Sequence, residues 1–222
     1  SRLSLLLVWG REGDTLPIFR NLQPCFLGFC LIISVSTLQS LFVGQWASPQ
    51  DIPAYGWMTS VIRIAVFLGA AALSSRIAAF SSHKIPLWAA CILCTAGLAL
   101  VMGTACTNSS LPWSDALHAA GLAISAAGYA LLYLYWIELY ARMDLMHVIA
   151  YFALVHLLSA TISLIVSSLP IRDLMFACIV CMPLISSLLY TRSLRKSSDL
   201  PFMQGETPSS GWSVPWKPIV LL

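Results

Sequence analysis

The chain has 222 residues, of which 59% are hydrophobic and only 9% charged, and a formal net charge of +3. Its mean hydropathy is +0.83, which excludes an ordinary soluble domain: folded in water, such a chain would have too little polar surface to face the solvent. The positive charge is scattered with no basic stripe or basic helix, so this chain offers no nucleic-acid contact.

In chain order, residues 1–23 come first, with an apolar patch from Leu3 to Trp9 followed by Arg11-Glu12-Gly13-Asp14. The patch is too short to cross a bilayer and lacks a small-residue cleavage pattern, so the segment reads as a surface-lying cytoplasmic stretch rather than a signal peptide. Six long apolar stretches follow, at 25–43, 57–75, 85–106, 117–139, 148–169 and 174–190. A helix rising 1.5 Å per residue needs about 20 residues to cross a hydrocarbon core of about 30 Å, and the last stretch is the shortest of the six. Residues 24–191 therefore read as a six-helix transmembrane domain and the bilayer as the main partner. Residues 192–213, rich in Ser, Pro and Gly, read as a flexible cytoplasmic linker. The stretch 214–222, with Trp216-Lys217-Pro218-Ile219-Val220-Leu221-Leu222, reads as the opening of a truncated seventh span, which implies a missing C-terminal half.

Cationic residues in short connections set orientation. Arg2, Arg11 and Arg20 precede the first span, Arg76 and Lys84 follow the second, Arg142 follows the fourth, and Arg192, Arg195, Lys196 and Lys217 follow the sixth. The alternate connections hold only Arg172, and Arg63 lies inside a span. The expected protein is a multi-pass protein of the cytoplasmic membrane with both ends inside. Trp46, Tyr55, Trp57 and Trp113 fall at the outer interface and Trp88, Trp136, Tyr140 and Tyr190 toward the inner one.

The chain contains seven cysteines, and Cys91-x-x-Cys94 and Cys178-x-x-Cys181 have metal-ligand spacing. Both pairs lie within spans, where thiolate ligands would be desolvated and thiols pack as small apolar groups, so the expectation is packing and no metal. Arg63 admits two readings. Six residues below Trp57, or about 9 Å, its guanidinium can snorkel toward the outer headgroups. Alternatively it faces a polar pocket with Gln39, Ser36 and Ser40 of span one near its level, where it can meet an anionic group.

The outer half of span four is nearly all small residues, with Gly121 and Ser125 in a small-xxx-small arrangement that allows close helix approach. Its inner half places Tyr129, Tyr133, Trp136 and Tyr140 on one face, as packing or as the wall of a ligand cavity. His156 in span five is a candidate proton-responsive group, or simply a hydrogen-bonded side chain. The candidate ligand-binding set is thus Arg63, Gln39, Tyr129, Tyr133, Trp136 and His156. No phosphate loop, nucleophile elbow, HExxH or intramembrane carboxylate pair occurs, so neither an enzyme nor a cofactor is expected.

Six spans with both ends inside fit two inverted three-helix units, and this all-α architecture resembles one half of a major facilitator superfamily transporter. The connection after span two departs from that family's pattern. Gly69 is followed by Leu73-Ser74-Ser75-Arg76 and Ala79-Phe80-Ser81-Ser82-His83-Lys84, without the expected Asp and second Gly. The chain is more closely similar to the membrane-embedded N-terminal regions of LuxR-type helix-turn-helix regulators of gut actinobacteria. The residues concerned are Gly128-Tyr129-Ala130-Leu131-Leu132-Tyr133, Trp136-Ile137-Glu138-Leu139-Tyr140-Ala141, and Trp212-Ser213-Val214-Pro215-Trp216-Lys217-Pro218. That resemblance implies a membrane sensor or anchor for a small molecule, coupled to a DNA-binding domain outside this chain. The alternative is the N-terminal half of a solute transporter.

Overall fold

The computed structural model describes residues 23–46, 52–73, 84–106 and 114–197. The N-terminal segment before Gln23, linker residues 198–213 and the seventh-span opening lie outside the described residues, whereas residues 192–197, read as the start of the linker, continue the last helix. A short 3-10 turn, Pro24–Gly28, opens with proline in its first turn, where a missing backbone N–H costs nothing. It leads into α1 (Phe29–Trp46), followed by α2 (Ile52–Leu73), α3 (Lys84–Cys106), α4 (Ser114–Tyr140), α5 (Leu145–Ser167) and α6 (Arg172–Ser197). Among the described residues six helices are long and apolar enough to cross a membrane, one for each stretch read from the sequence. In hydrocarbon every backbone N–H and C=O must be satisfied within the segment, and a helix does this whatever its side-chain pattern.

The helices outrun several of the apolar stretches that identified them. The shortest stretch, 174–190, lies in a helix of 26 residues. Arg172 and Asp173 extend it at one end and Arg192, Arg195 and Lys196 at the other, because polar residues at a span's ends can reach water without interrupting the backbone ladder. The start of α5 is fixed locally: Asp144, in extended conformation, accepts a hydrogen bond from the His147 backbone N–H at 2.9 Å.

Among these contacts the α3–α4 pair is the most extensive; α2 packs on α4, α1 on α5 and α6, and α3 on α6. Exchanging the first three helices for the last three turns α2–α4 into α5–α1 and α3–α4 into α6–α1, while α1–α4 and α3–α6 map onto themselves. All of these pairs are in contact. The α3–α4 approach is set by glycine. A Cβ on Gly97 would lie 2.3 Å from the Ser125 backbone nitrogen, and one on Gly128 would lie 2.3 Å from that of Cys94. Span four's small-residue half therefore does bring two helix backbones together, with α3 as the partner.

α1 is central and α2 peripheral: 56% of the apolar window of the first span is buried, against 0% in the second. Trp57, Val61, Ile64 and Leu68 of α2 and Leu157, Leu164 and Ile165 of α5 face outward, the distribution a lipid solvent permits.

Gln23 and Lys196 meet at one end of the bundle, Lys196 Nζ donating to Gln23 Oε1 at 3.2 Å. The two ends of the described chain thus lie on the same side, as an even number of crossings requires. Three further hydrogen bonds fasten the 3-10 turn here. The Gln23 N–H donates to the Tyr151 hydroxyl at 2.8 Å. The Tyr140 hydroxyl donates to the Phe26 carbonyl at 2.6 Å, and Ser186 Oγ donates to the Gly28 carbonyl at 2.9 Å. Phe26, Phe29, Trp136, Tyr140, Tyr151 and Tyr190 are all buried around the turn.

Candidate functional site

The end opposite Gln23 contains a polar cavity of about 190 Å³ lined by Gln39, Ser40, Tyr55, Gly56, Thr59, Ser60, Arg63 and Leu122. Three helices supply this lining: the last part of α1, the first turns of α2 and one turn of α4. Residues 56, 59, 60 and 63 of α2 recur at three- and four-residue spacing and so share a face.

Arg63 forms the deep wall. Its Nη1 donates to Ser36 Oγ at 3.0 Å, and its guanidinium carbon lies 4.4 Å from the centroid of the Tyr129 ring. Its Nε is buried and has no hydrogen-bond partner among the described residues. The guanidinium is half-buried and turned onto α1 and α4. The π-face of Tyr129 and the Ser36 oxygen hold the cation while leaving part of its donor fork unused.

Gln39 is buried, and its Nε2 donates to Ser125 Oγ at 3.0 Å, while Ser125 Oγ donates to the Leu122 carbonyl at 3.0 Å. This chain fixes the α1–α4 distance beside the cavity. Closer to the mouth, Thr104 Oγ1 and His118 Nδ1 lie 2.9 Å apart, and the His118 ring is tilted against that of Tyr55 with centroids 5.3 Å apart.

The other sequence candidates fall elsewhere. Tyr129 touches the site through Arg63, but the aromatic stripe then runs away from it. Tyr133 packs against Phe29 at 4.9 Å and Phe67 at 5.9 Å. Trp136 is 1% exposed, and its Nε1 donates to Ser186 Oγ at 2.9 Å near the Gln23 end. His156 is exposed on α5, with Nδ1 2.9 Å from the Phe152 carbonyl oxygen. Five residues of the lining were not singled out for the site by sequence reading: Tyr55, Gly56, Thr59, Ser60 and Leu122. For Thr59 and Ser60 the spacing of four and three residues from Arg63 was the available signal, muted because hydroxyls in apolar helices ordinarily bond their own backbone.

Cys91 and Cys94 are buried in the α3–α4 contact, whereas Cys178 is half-buried and Cys181 exposed. Among the described residues no group of three metal-ligating side chains converges. Glu138 pairs with Arg142 at 2.6 Å, one turn along its own helix, far from Arg63.

No protein family, curated protein or solved structure matches this chain.

Proposed function

We propose that this chain is the membrane-embedded input region of a one-component transcriptional regulator of LuxR type. Both ends lie in the cytoplasm, and the Arg63 cavity receives a small solute from outside. The observation that carries the reading is a half-buried guanidinium at the bottom of a polar cavity in an otherwise apolar bundle. Placing an arginine near a helix centre costs at least about 2.5 kcal/mol on insertion scales, and neither Ser36 nor Tyr129 neutralises its charge. An anionic solute would.

The opposite end supports a sensing role. Tyr140, Trp136 and Tyr151 pack and bond the turn at Gln23–Gly28, next to the cytoplasmic ends in this topology. Tyr129, Tyr133, Trp136 and Tyr140 are also the residues through which the chain resembles the LuxR-type regulators. A solute with different affinities for two packings of α4 would shift the position of the cytoplasmic ends, and only such a difference can move the equilibrium. The DNA-binding step belongs to a domain outside this chain.

A second reading, the N-terminal half of a facilitator-like transporter, draws on part of the helix pairing: α2–α4 and α3–α4 have counterparts in α5–α1 and α6–α1, although α4–α6 and α5–α6 have none of similar extent. The two are separated by exposing cells to a panel of small organic acids, alcohols and amines while following transcription and protein-dependent uptake. The sensor reading expects a transcriptional response without uptake, abolished by Arg63→Leu. Concentrative uptake replaces it with the transporter reading, and the absence of both effects overturns the two together.

A further inference from the structure

The hydrogen bonds around the Arg63 cavity restrict what it can hold. Thr59 Oγ1 donates toward the carbonyl oxygens of Tyr55 at 3.1 Å and Gly56 at 3.0 Å. Ser60 Oγ donates to the Gly56 carbonyl at 2.8 Å, and Ser40 Oγ to the Ser36 carbonyl at 2.9 Å. A hydroxyl whose proton is committed in this way presents only lone pairs to a neighbour. Arg63 is the reverse, since a guanidinium has donors and no acceptor. Its side chain belongs to the cavity lining, with Nη1 directed onto Ser36. The cavity therefore offers cationic donors at its deep wall and hydroxyl acceptors one turn nearer the mouth, and among the described residues no carboxylate belongs to its lining.

At about 190 Å³ the cavity lies below the roughly 300–1,000 Å³ usual for drug-sized ligands, a scale that suits a solute of a few heavy atoms.

Resting on the reading that the cavity receives a solute, we infer that its occupant is a small hydroxy acid monoanion. The carboxylate meets the Arg63 guanidinium and the hydroxyl donates to Thr59 Oγ1. A plain carboxylate leaves the hydroxyl acceptors unmet. An amino acid brings an ammonium group with no counter-charge among the described lining residues, which is costly away from water. A lipid phosphate shares the anionic oxygens of a free acid, so the lipid composition has to be one arm of the test.

The test is titration calorimetry of the full chain in phosphatidylcholine nanodiscs with lactate, propionate and lactamide. Lactate is expected to bind, propionate to bind about tenfold more weakly for want of one hydrogen bond, and lactamide to give no signal. Arg63→Gln abolishes lactate binding. Thr59→Val lowers lactate to the affinity of propionate and leaves propionate unchanged, a pattern that a folding defect does not produce. Adding phosphatidylglycerol leaves lactate affinity unchanged; loss of binding there assigns the guanidinium to lipid headgroups and overturns the inference. Equal binding of lactamide and lactate overturns the anionic class. Silence from all three probes overturns the hydroxy acid, whereas the solute-recognition reading stands or falls separately on whether Ser60→Trp, which fills the mouth, removes the cellular response to the wider solute panel.

Discussion

At the scale of single residues the main question is whether Arg63 supports the fold or burdens it. The Ser36 hydrogen bond and the Tyr129 ring oppose the cost of desolvation, and interhelical hydrogen bonds within membranes average only about 0.6 kcal/mol, with exposed cation–π contacts at about 0.5–1 kcal/mol. These gains together fall short of the insertion cost of at least about 2.5 kcal/mol. Arg63→Leu is therefore expected to leave thermal stability in nanodiscs unchanged or slightly raised while removing the solute response. A melting temperature several degrees lower would instead identify Arg63 as a structural clamp. By the same magnitudes Gln39→Leu is expected to cost about 0.6 kcal/mol, because Ser125 keeps its bond to the Leu122 carbonyl.

At the scale of elements, two local devices carry predictions. The α3–α4 contact depends on hydrogen atoms at Gly97 and Gly128, since any Cβ there meets backbone rather than a movable side chain. Gly128→Ala is expected to destabilise by about 1–3 kcal/mol through overpacking. Gly103, with nothing within 4 Å of its Cβ position, should tolerate alanine in the same melting assay; equal effects at the two positions would deny the close approach. The second device is the cap of α5. Partial burial pushes the Asp144 carboxyl up, but hydrogen bonds from the His147 backbone N–H and ring outweigh it and hold the group below its ordinary value. A depressed carboxylate stabilises the fold above its unfolded value of about 3.9, and that contribution is lost as pH falls through the lower folded value. The carboxylate's contribution to the cap is thus expected to be present at neutral pH and to be lost only in acid, below the ordinary carboxylate value of about 3.9. Asp144→Ala should cost about 1 kcal/mol at neutral pH and Asp144→Asn much less, as read by hydrogen exchange in the first turn of α5.

At the scale of the whole molecule the prediction concerns orientation. The Lys196–Gln23 bond puts both ends of the described chain on one side, and the positive connections would make that side cytoplasmic. In a cysteine-free background, Ser114→Cys should react with a membrane-impermeant maleimide added to intact cells, and Lys196→Cys only after the membrane is opened. The reverse pattern would turn the molecule over and point the Arg63 cavity inward. The cavity's position opposite the Gln23 end is independent of that outcome.

Hydropathy and length were enough to determine the six long apolar helices, because an apolar run of about 20 residues in a bilayer has only the helix by which to satisfy its backbone. Arg63 was legible for a related reason: an intramembrane charge is costly enough to stand out in any apolar window. The boundaries were less legible. Asp144 and the polar ends of α6 extend helices by capping and snorkelling, neither of which registers in hydropathy. Helices that are apolar all round carry no record of which face meets which neighbour, so only the tertiary structure decided that α3 is the partner of span four's glycines. It also separated Tyr129, beneath the guanidinium, from Trp136, buried at the far end with Ser186, although both belong to one stripe. The Thr59 and Ser60 hydroxyls became part of a site only through the convergence of α1, α2 and α4. Proximity between helices is set by packing across the bundle, which periodicity along a single chain does not encode.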